Sequence, residues 1–65
     1  MKTIYSQTRK QAAEMSTERL KRWKRGLHAK IGKLEARKEH VYNERQQLNA
    51  VEKELKEREE REQHL

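Results

Sequence analysis

"RLKRWKRGLHAKIGKL", Arg19 to Leu34, carries seven Lys or Arg in sixteen residues, yet Leu20, Trp23, Leu27, Ile31 and Leu34 recur at intervals of three and four. That spacing marks one face of an α-helix. The stretch reads as a helix with an apolar seam and a cationic remainder, and the fold depends on what the seam meets. The seam continues far beyond it. Leu20, Leu27, Leu34, Val41, Leu48 and Leu55 each stand seven residues apart. A straight helix drifts about 20° per heptad against a strict seven-residue repeat, so holding these side chains on one partner calls for a left-handed supercoil. The seam, with Ile31 added, predicts a coiled coil or a helical hairpin.

The rest of the chain favours helix as well. It has no proline and two glycines, Gly26 and Gly32, and Ala, Glu, Lys, Arg, Gln and Leu dominate, all good helix formers. Ser16 in "MSTERL" is placed to cap a helix start, with Met15 and Leu20 at the positions of a hydrophobic staple. Thr3 is a second candidate cap. The expected fold is all-α: a short N-terminal helical arm over 1–15, then one long helix over 16–65, straight or kinked, with a heptad-spaced seam. The apolar spacing runs straight through both glycines, so neither is expected to reverse the chain.

The companion positions of the seam are poor. Lys24, Ile31, Lys38, Arg45 and Glu52 on one side, or Trp23, Lys30, Arg37, Glu44 and Val51 on the other, are mostly polar, so association should be modest. Charge chooses the orientation. Residues 1–38 hold twelve Lys or Arg against three Glu, and 39–65 hold five against eight. An antiparallel pair centred between Arg37 and Lys38 sets Leu20 against Leu55, Leu27 against Leu48 and Leu34 against Val41, with the basic stretch beside the Glu-rich one. A homodimer or a helical partner protein is expected. The tail "VEKELKEREEREQHL" carries Glu–Lys and Glu–Arg pairs four residues apart, which reads as a solvated, self-supporting helix.

A basic segment followed by spaced leucines resembles the layout of basic leucine-zipper transcription factors. Ala12, Ala13 and Ser16 of "RKQAAEMST" stand in that family's register, but Arg9 replaces its Asn and Thr17 its Arg. The resemblance covers under half the chain. In that family the two replaced positions carry the base and phosphate contacts, and here the zipper's a positions are mostly charged.

Composition excludes several function classes. With 65 residues, 31% apolar and 43% charged, little core is available. Cysteine and aspartate are absent, and His28, His40 and His64 are far apart in sequence, so no metal, cofactor or small-molecule substrate is expected. No Gly-rich phosphate loop and no partnered nucleophile occur, and an enzyme is not expected. The opening "MKTIYSQTRK" lacks the apolar run of a secretory signal, and membrane association is disfavoured by a narrow apolar face. An intracellular location is expected.

The functional expectation is a small regulator. Its basic half, about 9–38, binds DNA, RNA or a nucleoprotein through Arg19, Lys21, Arg22, Trp23, Lys24, Arg25, Lys30 and Lys33. The rival is an inhibitor or adaptor that docks Leu20, Trp23, Leu27 and Ile31 on an acidic protein surface.

Overall fold

The computed structural model describes residues 3–63 of the 65-residue chain. The outer ends of the segments expected at 1–15 and 16–65, and His64 with them, lie outside the described residues. Within them the chain is all-helical: α1, Ile4–Ala13; α2, Thr17–Ala36; and α3, Tyr42–Gln63. The first two helices begin at side-chain caps. The Ser6 amide donates to Thr3 Oγ1 at 3.0 Å and the Arg19 amide to Ser16 Oγ at 3.2 Å, each satisfying an N–H that a helix start leaves without a partner. Met15, just ahead of the second cap, packs against the cluster that holds Leu20.

The single long helix expected over 16–65 is not what forms. α2 ends at Ala36, with Arg37 as its cap, and the chain reverses before α3. The Glu39 amide donates to the Leu34 carbonyl at 2.9 Å and the Lys38 amide to that of Glu35 at 3.0 Å, the paired bonds of a Schellman ending. That ending needs one residue in the left-handed region. Glycine is usual there, but here it is Lys38, at φ 60°, which costs about 1 kcal/mol. α3 then starts behind Val41, whose carbonyl accepts from the Arg45 amide at 2.9 Å. Packing explains why the chain turns against these local preferences. Burying a large apolar side chain stabilises by roughly 1.5–3 kcal/mol, and the reversal lets several on α2 and α3 bury each other.

Three cross-contacts fix the direction. Arg58 meets Thr17 at 3.0 Å, His28 meets Glu52 at 3.5 Å and Arg45 meets Glu35 at 2.9 Å. Numbers on α2 rise as those on α3 fall, so the helices are antiparallel, with pair midpoints between residues 37 and 40. This is close to the register that the leucine column dictates for two antiparallel chains, realised inside one chain. The leucine column is thereby cut in its middle, between α2 and α3.

Ala12, Leu20, Leu27 and Val51 form the core, with Met15, Trp23, Leu48 and Leu55 packed against it. Ile31 and Ala50 are buried, and Leu34 and Val41 are half-buried. α3 is the common partner: α1 and α2 pack mainly on it rather than on each other. Gly26 and Gly32 sit inside α2, where an added Cβ would meet nothing within 4 Å. No helix among the described residues is long and apolar enough to cross a membrane.

Candidate functional site

The chain has eight arginines, and the fold divides them. Arg9, Arg45, Arg58 and Arg61, on α1 and α3, each have a carboxylate within 4.0 Å. Arg19, Arg22, Arg25 and Arg37, on α2 and its end, have none among the described residues. Lys21, Lys24, Lys30 and Lys33 have none either. Neutralisation fails here because α2 carries two glutamates of its own and turns its apolar face, not its charged one, to the Glu-rich helix.

The cations of α2 fall in two strips, one on each side of the buried seam. Arg19, Arg22, Lys30 and Lys33 follow the helical spacing of three and four through Gly26, and all four are exposed. Lys21, Arg25 and the half-buried Lys24 lie on the other side. There, with His28, they form one wall of an open groove of about 470 Å³, whose opposite wall carries Glu59 and Glu62 of α3. Trp23 stands apart from both strips. It is half-buried and packed on the core, so the structure groups it with the seam rather than with the cations.

The α1–α3 contact is of a different kind. Glu54 is buried at 5% exposure and receives Arg58 Nε at 2.9 Å and Arg61 Nη2 at 3.3 Å. Arg9 Nη2 donates to Glu57 at 2.8 Å, while its Nη1 stands 3.6 Å from Glu54. The Arg9 hydrogen bond holds the Glu57 carboxyl below the usual carboxylate range and raises the pKa of Arg9. Arg58 also reaches the carbonyls of Ala12 at 3.1 Å and Met15 at 2.6 Å, and the Thr17 hydroxyl at 3.0 Å. A guanidinium thus closes the carbonyl end of α1, where a helix favours positive charge.

This network corrects the sequence reading of the tail as a solvated helix. The Glu54–Arg58 pair is present, but its carboxylate is buried, and the half-buried Arg58 ties α3 to the end of α1. The overlooked signal is Ala12, a small residue that is fully buried in the core cluster on the helix whose end Arg58 closes.

No protein family, curated protein or solved structure matches the chain. No group of three or more His, Asp or Glu among the described residues converges as a metal site would require. The exposed cations of α2 thus lie on a helix held in place by its buried face.

Proposed function

We propose that α2 is a polyanion-binding helix that engages the phosphate backbone of nucleic acid without reading bases, with α1 and α3 as its scaffold. One observation carries the reading: the arginines of α1 and α3 have carboxylate partners, while those of α2 have none among the described residues. Exposed cations at regular helical spacing bind phosphate by displacing counterions, an attraction that needs no base contact. The outer strip from Arg19 to Lys33 extends about 21 Å at 1.5 Å per residue, long enough to follow several successive phosphates. Trp23, committed to the core, is not counted among the contacts. Docking on an acidic protein is less well supported, because its proposed anchors Leu20, Leu27 and Ile31 are buried in the hairpin. The protein acts without catalysis in this reading, at an intracellular site where nucleic acid is present.

The test is fluorescence anisotropy with labelled duplex DNA and RNA across a salt series. Four phosphate contacts predict that log K falls with log salt at a slope of about −4. DNA and RNA duplexes should bind with little sequence preference. Absence of binding at low salt, or binding indifferent to salt, sinks the proposal, and tight binding to an acidic polypeptide alone would favour the docking alternative.

A further inference from the structure

The reversal between α2 and α3 lacks the residues that usually make one. Lys38 occupies the left-handed position that favours glycine, at φ 60°, and Val41 stands where a capping side chain belongs. Arg37 to Val41 contains neither Gly nor Pro, so nothing in it forbids continuous helix. The heptad column also passes through it in step, from Leu34 to Val41. Tyr42, the first residue of α3, is the large apolar side chain that the described residues leave in solvent, at 66% exposure.

We propose that residues 37–41 are a hinge, and that two copies of this chain exchange residues 3–36, each α3 receiving α1 and α2 from the other copy. In the exchanged dimer 37–41 is helical and α2 and α3 merge into one helix lying antiparallel to its twin. The antiparallel register makes this possible. With pair midpoints between 37 and 40, the contacts of Thr17 with Arg58, His28 with Glu52 and Glu35 with Arg45 re-form between chains. Arg58 still closes α1, because α1 travels with α2. What changes is the hinge: Lys38 leaves the left-handed region, the turn's amides gain helical partners, and Tyr42 approaches the crossing point of the two helices. Short hinges under strain favour such exchange. The opposing term is the entropy of joining two chains, so concentration sets the balance. The inference stands on the hairpin alone and does not depend on nucleic-acid binding.

The test is light scattering or sedimentation of the whole chain after refolding over a range of concentrations. A species of twice the 7.9 kDa chain mass should accumulate as concentration rises and exchange slowly on dilution. Lys38→Gly relieves the hairpin's strained residue and weakens the merged helix in both chains, so dimerisation should weaken on the order of 100- to 1000-fold. Lys38→Gly with His40→Pro should be monomeric, because proline cannot sit inside the merged helix. Glu35→Cys with Arg45→Cys, bridged by a short bis-maleimide in the isolated dimer, should join chains two by two on a denaturing gel. A mass that stays monomeric up to millimolar concentration overturns the proposal. So does a dimer that Lys38→Gly leaves equally populated, or bridging confined to single chains.

Discussion

Arg58 and Arg22 are the same side chain on two antiparallel helices of one small protein, and their surroundings could hardly differ more. Arg58 has a buried carboxylate, a hydroxyl and the carbonyls of a neighbouring helix within reach. Arg22 is exposed and has no carboxylate partner among the described residues. The difference comes from which face each helix gives up to packing. α2 surrenders its apolar stripe and keeps its cations in water. α3 packs on two sides, and the second side, toward α1, is charged. A guanidinium is therefore structural where a second helix covers it and remains available to bind where none does.

The comparison breaks most visibly at Arg58. Arg58→Ala removes a cation from beside buried Glu54 and uncovers the end of α1, which should cost about 3 kcal/mol. A domain of this size holds only roughly 3–10 kcal/mol, so urea unfolding should reveal a much weakened fold. Arg58→Lys should recover less than half of the loss, since an ammonium lacks the planar fork. A change under 0.5 kcal/mol for Arg58→Ala would mean that the network is ornamental.

Arg22→Glu with Lys33→Glu probes the other region. Stability should move by no more than about 0.5 kcal/mol, as for surface sites in general. Affinity for duplex nucleic acid should fall at least tenfold, and the salt slope should lose about two units. Equal affinity in the double variant would remove α2 from the binding surface. Gly26→Ala has a smaller effect of opposite sign. An added Cβ meets nothing within 4 Å, so helix propensity alone acts, and the fold should gain about 0.5–1 kcal/mol, read as a higher melting temperature.

Acid gives the mildest separation. Glu57 has its carboxyl pKa depressed in the folded state by the Arg9 hydrogen bond. Its contribution is complete above the unfolded pKa and is withdrawn as the pH falls through the lowered folded one, on the acid side of the ordinary carboxylate range. Thermal melts of the unaltered chain should drop more across that window than those of Glu57→Gln. Identical acid profiles for the two proteins would leave Glu57 without a part in the α1 contact.

The helices were largely legible in the sequence because their signals are local. Thr3 and Ser16 are capping residues within three positions of the amides they satisfy. The apolar spacing marks the buried face of α2, where Leu20, Leu27 and Ile31 lie. The turn was not legible, since Lys38 and Val41 contradict the usual chemistry of helix ends and the heptad column shows no break. A column of constant register cannot by itself distinguish two chains from one chain folded at its midpoint. Glu54 was hidden for a related reason. Its pairing with Arg58 is visible as a four-residue spacing, but so are several neighbouring pairs in the tail. Only the docking of α1, through Ala12, selects the pair that becomes buried.

That α3 is the common partner of the other two helices bears on how the molecule is made. Synthesis runs from α1 toward α3, so both flanking helices are made before the surface they require exists. At 5–20 residues per second, α2 waits roughly 1–5 s for the rest of the chain. During that interval its apolar stripe has no α3 to cover it.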